Sequence, residues 1–347
     1  MPTAFHANRA PCPCMAMAAG TSFSARYARD AEAKPRKNRL NFTSAKRAFH
    51  LSRAADKERG EIMPRTYSEL YISVRNTLRS AGVEAANVEA RLIVATASGK
   101  TTAQLLRDMA LYDTDEVEKK VGDMLRRRLA GEPVAYITGV WEFRGLPMEV
   151  SPDVLIPRVD TEVLAEEAVN WLTKNRRDAR VLDLCSGTGC IGCAIADALP
   201  QCHVVLADIS PEAIELSRRN VARNGLSGRM SYMLADATKA PPVMSGTFDL
   251  IVSNPPYIAT FDILTLDPSV RDYEPIWALD GGEDGLDFYR AILKHWLPSL
   301  RQGGMLLFEV GEGQANDVKD MMRMSGMHDA VSVKDTRGVE RVVKATL

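Results

Sequence analysis

The chain has 347 residues, 46% hydrophobic and 26% charged, which is enough for two separate cores and ordinary for a globular protein. No stretch approaches the ~18 consecutive apolar residues of a membrane span, so none is expected. The net charge of −1 is unevenly placed: residues 1–63 carry twelve Lys/Arg against five Asp/Glu (+7), which leaves −8 for the remainder and argues against a large phosphate-binding surface.

Residues 1–63 are rich in Ala, Arg and Ser and show no helical or strand period. We read them as a disordered or mis-started extension. A flexible tail, an organelle transit peptide with no acid before Asp30, and translation from an upstream start all fit, and the last is preferred because a compact pattern begins right after Met63. From Tyr67, the residues Leu70, Tyr71, Val74, Leu78 and Ala81 recur on one helical face that Gly82 ends. A second helix is expected over about Val88–Ser98, stopping at Gly99. A third is expected over about Thr114–Ala130, with acids at its start and Arg126, Arg127 and Arg128 at its solvated end. Together they form a helical domain over 64–131.

Residues 132–160 read as a linker with strand-like alternation and a short strand pair, and 161–347 as a second domain. From Arg180, apolar strands alternate with helices: "RVLDLC", "HVVLAD", "MSYMLAD", "FDLIVSN" and "GMLLFEVG", a helix near Phe288–Leu297, and a final strand pair. This alternation specifies an α/β fold, a mostly parallel Rossmann-like sheet covered by helices on both faces.

The first of these strands runs into "VLDLCSGTGCIGCAIA", a glycine turn that opens a helix. Glycines let a ligand approach the backbone, and the helix N-terminus presents free N–H groups. Gly187, Gly189 and Gly192 also satisfy GxGxxG with Asp208 about 20 residues on, so a dinucleotide site is a rival. Asp183, just before the loop, points elsewhere: a carboxylate there can balance a ligand ammonium, and S-adenosylmethionine carries one. Asp208 suits ribose hydroxyls and Asp236 the adenine amino group. A second rival is an iron–sulfur site, because Cys185, Cys190 and Cys193 have the spacing that opens a plant-type cluster. Buried cysteines are the plainer reading, and with six in all the chain suits a reducing, cytoplasmic setting. No metal is expected: the five histidines form no i, i+4 pair.

The fourth strand ends in Asn254-Pro255-Pro256-Tyr257. Pro255 has φ locked by its own ring and ψ pushed to the extended region by Pro256, so its carbonyl is aimed rigidly. With the side-chain carbonyl of Asn254 it can accept both hydrogens of one NH2 group, and Tyr257 can stack on that planar group. An amide nitrogen is a poor nucleophile and needs such positioning to meet an electrophilic methyl.

At these residues the chain resembles the release factor glutamine methyltransferases, the PrmC/HemK family of protein-(glutamine-N5) methyltransferases. The resemblance covers about residues 66–345 and rests on "RLAGEPVAYITG", "VLIPRVDTE", "VLDLCSGTGCIG", "FDLIVSNPPYI", "YEPIWALDGGEDGLDFYR" and "GGMLLFEVGEGQ". It implies a seven-stranded S-adenosylmethionine-dependent methyltransferase fold, with the helical domain over 64–131 as the substrate-recognition domain for a peptide chain release factor, whose Gly-Gly-Gln glutamine enters the Asn-Pro-Pro-Tyr pocket. It further implies that Cys185, Ser186, Gly187, Thr188, Gly189, Asp208 and Asn254 contact the methyl donor, beside Asp183, Asp236 and Ala237. Asn254, Pro255, Pro256 and Tyr257 would hold the glutamine. Val159 departs from the family's usual proline, CSGTG from its commoner loops, and Ala237 from the aromatic of some members. The expected enzyme is a monomer that needs no stable nucleic acid and no membrane. Two alternatives stand: a nucleic-acid amino methyltransferase, which the acidic body disfavours, and a non-catalytic binder of translation factors.

Overall fold

A computed structural model of the chain describes residues 65–347; the expectation for 1–63 lies outside them. Helix α1 (Tyr67–Ser80) begins where Thr66 and Glu69 cap each other's backbone amides. After α2 (Ala86–Ala97) comes α3 (Thr102–Arg107), a six-residue helix not anticipated from periodicity because it is too short to show one. Helix α4 (Asp115–Leu129) carries acids in its first turn and Arg126, Arg127 and Arg128 in its last. Leu70, Val74, Leu78, Ile93 and Leu125 close a core between these helices.

The expected solvated arginine end is corrected at Arg128. Its guanidinium forks onto the carboxylate of Glu89 in α2, at 2.5 and 3.1 Å. Glu89 is only 1% exposed, and a buried carboxylate requires such a partner.

The linker opens with α5 (Val134–Thr138), ended by Gly139 at φ +73. The hairpin β1 (Val140–Phe143) and β2 (Leu146–Glu149) follows, turned by Arg144 and Gly145, both at positive φ. Trp141 packs into the helical core, while Phe143 and Met148 pack into the core of the sheet beyond. The hairpin therefore belongs to both.

That sheet has seven strands: β3 (Arg180–Leu184), β4 (His203–Asp208), β5 (Met230–Leu234), β6 (Phe248–Ser253), β7 (Leu300–Glu309), β8 (His328–Lys334) and β9 (Glu340–Thr346). Their order is β5-β4-β3-β6-β7-β9-β8, with β9 antiparallel to both neighbours. One face is covered by α6 (Thr161–Asn175) and α7 (Cys190–Ala198), with α8 (Pro211–Arg223) alongside. After the one-turn α9 (Pro268–Arg271), α10 (Asp287–His295) and α11 (Ala315–Met324) cover the other. The chain steps from β3 outward to β5, then returns to place β6 on the opposite side of β3. The carboxyl ends of β3 and β6 thus flank the switch point where ligands lodge in open α/β sheets.

Candidate active site

The two sides of this crevice are built differently. On the β3 side the loop Cys185–Gly189 turns through three left-handed residues: Cys185 at φ +62, Gly187 at +51 and Gly189 at +76. A side chain at Gly189 would lie 2.9 Å from Leu206 Cδ1, so that glycine serves packing. A Cβ on Gly187 would meet nothing within 4 Å, which leaves its backbone bare toward the crevice.

Carboxylates hold this loop. Asp208 accepts the Gly187 N–H at 2.8 Å and the Ser210 N–H at 3.0 Å, and burial raises its carboxyl above the usual range. Asp183 accepts the Gly192 N–H at 2.8 Å, while its other oxygen is buried with no hydrogen-bond partner. Burial pushes the Asp183 carboxyl up to about 8, against the Gly192 N–H, with Asp208 adding to the rise. At Asp236 burial acts to raise the carboxyl, yet the Thr238 hydroxyl and amide and the Lys239 ammonium keep it below its ordinary value.

A cavity of about 290 Å³ opens between the two sides. Of the residues singled out in the sequence, Cys185, Ser186, Gly187, Thr188, Asp208, Asp236, Ala237, Asn254 and Pro256 line it. Asp183, Gly189, Pro255 and Tyr257 do not. Asp183 lies fully buried beneath the loop and holds the backbone of α7 through the Gly192 N–H.

Sequence reasoning missed a third wall. Val154, Leu155, Arg158 and Thr161 bring the linker over the cavity, and Trp277 and Phe288 reach it from beyond β6. Arg158 is ion-paired with the buried Glu274, which also accepts the Ile156 N–H at 3.2 Å. The "VLIPRVDTE" and "YEPIWALD" blocks carried the signal, since these contacts join them across more than a hundred residues.

On the β6 side, Asn254 Nδ2 donates to Thr161 Oγ1 at 3.3 Å. Among the described residues neither Asn254 Oδ1 nor the Pro255 carbonyl receives a donor. Tyr257 donates its hydroxyl to Glu309 Oε1 at 3.4 Å and its carbonyl accepts from Gln314 Nε2 at 2.9 Å. The segment after Trp277 presses on this turn: Ile258 N–H bonds the Leu279 carbonyl and Gly281 N–H the Ile258 carbonyl. A Cβ on Gly281 would fall 2.8 Å from Tyr257 Cα, and one on Gly285 2.4 Å from the Tyr257 oxygen. The turn is clamped by backbone that only glycine permits.

The cavity suits S-adenosylmethionine in its donor set. Asp208 and Asp236 offer acceptors for hydroxyl and amino groups, Ile209, Ala237 and Phe288 offer apolar surface, and the bare Gly187 backbone gives close approach. Among the described residues no group of three or more His, Cys, Asp or Glu is placed to hold a metal ion. Cys190 and Cys193 are buried free thiols, and burial pushes Cys190 up to about 12.

The strand order, the glycine loop with an acid at the next strand's end, and the adjacent Asn-Pro-Pro-Tyr turn define an α/β S-adenosylmethionine-dependent methyltransferase. Residues 161–265 match the family described as methyltransferase small domain, and 69–139 the PrmC N-terminal domain. The chain is 42% identical to a release factor glutamine methyltransferase of Geobacter sulfurreducens, over 78% of its length and 92% of that protein's. With the protein of the same description from Agrobacterium fabrum it shares 38% identity, over 80% and 96% respectively. Among solved structures, a protein-(glutamine-N5) methyltransferase (release factor-specific) from Alicyclobacillus acidocaldarius matches at 33% identity, covering 57% of this chain and 98% of that one, with a TM-score of 0.35. The chain belongs to the release factor glutamine methyltransferase family.

Proposed function

We propose that the chain methylates the side-chain amide nitrogen of the glutamine in the Gly-Gly-Gln motif of peptide chain release factors. The observation that carries this reading is the pair of unclaimed acceptors, Asn254 Oδ1 and the Pro255 carbonyl, beside a cavity whose other wall is the glycine loop. When bound, S-adenosylmethionine supplies an electrophilic methyl group on a sulfonium. The Cys185–Gly189 loop and Asp208 would hold it, with Asp236 and Ala237 toward its adenine, and Asp183 would act from beneath through the backbone it braces.

Two acceptors fixed in space take both N–H groups of the glutamine amide and so orient the nitrogen lone pair. Their dipoles also favour the positive charge that grows on that nitrogen. Alignment of this kind is worth up to ~7–11 kcal/mol in well-oriented reactions. Pro256 closes the cavity beneath the amide and Tyr257 fixes the turn that carries both acceptors.

In this reading the helical unit meets the release factor, and the enzyme works in the cytoplasm as a monomer, without metal, membrane or stable nucleic acid. The four described cysteines, all free thiols, suit a reducing compartment. Incubation with labelled S-adenosylmethionine and separate pools of release factor, ribosomal protein and DNA tests the assignment. Label is expected on release factor and lost when its Gly-Gly-Gln glutamine is changed to alanine; label on DNA or ribosomal protein alone would overturn it.

A further inference from the structure

The segment that leaves the Asn-Pro-Pro-Tyr turn and the segment that clamps it are stitched together at the carboxyl edge of the sheet. Thr260 N–H bonds the Gly282 carbonyl at 2.9 Å, and the Thr260 hydroxyl donates to Asp280 Oδ1 at 2.7 Å. Each segment carries a short 3-10 turn, Asp262–Thr265 in one and Ile276–Ala278 in the other. Ile263 and Leu279 are buried and anchor the two segments. The remaining large apolar side chains face outward: Phe261 is 86% exposed, Leu264 72%, and Ile276 and Trp277 57% each.

Residues three apart eclipse in a 3-10 turn, so Phe261 and Leu264 stand on one side of theirs. Exposed apolar residues scattered singly are ordinary. Four of them, two aromatic, on two joined segments have the composition of a surface that meets another protein. The surface also continues into the site, because Trp277 lines the cavity. At about 290 Å³ that cavity is at the small end of ligand pockets (~300–1,000 Å³), with room for little more than a methyl donor and one side chain. The rest of any protein that delivers a glutamine must lie outside, against this rim. The rim also has a charge: Asp262 and Glu283 are exposed, and among the described residues neither is ion-paired. The nearby Arg271 is taken by Asp272, and Arg290 by Asp284 and Asp287.

We propose that this rim is the docking surface for the protein substrate: the apolar flank of the release-factor loop that bears the glutamine rests on Phe261, Leu264, Ile276 and Trp277, and basic side chains of the same partner meet Asp262 and Glu283. Recognition is then built into the methyl-transferring domain itself, beside the turn that holds the amide. The inference rests on the glutamine reading above and adds where the protein carrying that glutamine is held. Phe261, Leu264 and Ile276 touch no reacting atom, so their contribution is to binding in the ground and transition states alike, which sets KM and not kcat.

Three variants test it: Phe261→Ser with Leu264→Ser, Ile276→Ser, and Asp262→Lys with Glu283→Lys. Their side chains do not line the cavity, so kcat at saturating release factor, affinity for S-adenosylmethionine and the melting temperature should match wild type. The double serine variant should raise KM for release factor roughly 10- to 100-fold and weaken its calorimetric binding by the same factor. Ile276→Ser should raise KM roughly 5-fold. The double lysine variant should raise it roughly 10-fold at low salt, with the difference shrinking as salt is added. A wild-type KM in the double serine variant, or a loss of kcat in place of KM, would overturn the inference. So would a concentration-dependent dimer of the wild type in sedimentation that the double serine variant abolishes, because a second copy of the chain would then cover the rim. Failure of the wild type to label release factor would instead sink the functional reading, while the binding titration still decides the docking.

Discussion

The two walls of the cavity are both rigid, but for opposite reasons. The glycine loop is held by attraction: Asp183 and Asp208 accept backbone N–H groups, and one Asp183 oxygen stays buried without a partner. The Asn-Pro-Pro-Tyr turn is held by exclusion, because two prolines fix its torsions and the glycines of the 279–285 segment press against it at distances no side chain would allow. A wall fixed by charge should respond to pH and charge reversal. A wall fixed by sterics should respond to added atoms.

The largest effect is expected from Asn254→Ala. Removing one of two aimed acceptors should cut methyl transfer roughly 100- to 1,000-fold, with the fold and most donor binding kept, as transfer and calorimetric titration would show. Next is Gly285→Ala, which places a methyl 2.4 Å from the Tyr257 oxygen at a residue with φ +75. Displacement of the turn should lower kcat roughly 100-fold while S-adenosylmethionine affinity holds, since the other wall is untouched. Equal losses in both quantities would mean that the walls are not independent.

On the charged wall the expected signal is pH-dependent stability. The Asp183 carboxyl titrates near 8 in the fold, above its ordinary value, so its contribution is greatest below the unfolded value near 3.8 and is lost as pH rises through about 8. Asp183→Asn keeps an acceptor for Gly192 and should flatten that fall, by on the order of a few kcal/mol, in denaturant melts from pH 5 to 9. The smallest effect belongs to Cys185→Gly. A β-carbon at φ +62 is strained, and its removal should stabilise the loop by about 1 kcal/mol, raising the melting temperature by a few degrees.

The sheet was legible because its buried strands are short apolar runs separated by glycine and polar turns. The Asn-Pro-Pro-Tyr turn was legible because two consecutive prolines at a strand end have few other uses. The burial of Asp183 follows from the strand itself. Along β3, Leu182 and Leu184 pack on one face of the sheet, and Val181 on the other. Period-two alternation therefore sends Asp183 toward Gly192 in α7, under the loop. Helix α6 was obscured because its apolar face, Leu164, Ala168 and Leu172, follows directly on the polar "PRVDTE", and Thr161 gains its meaning only from Asn254, at the end of a distant strand. The linker's role as a wall was equally hidden, since the Arg158–Glu274 pair spans 116 residues.

The β1–β2 hairpin, with Trp141 in one core and Phe143 and Met148 in the other, has a thermodynamic meaning. Neither unit can melt without wetting apolar side chains that the other also shelters. Heating should therefore give a single calorimetric transition spanning both, and a fragment cut away before α6 should expose the sheet-side contacts of this ribbon. The helical unit and the sheet would then lose their order together, as one cooperative unit.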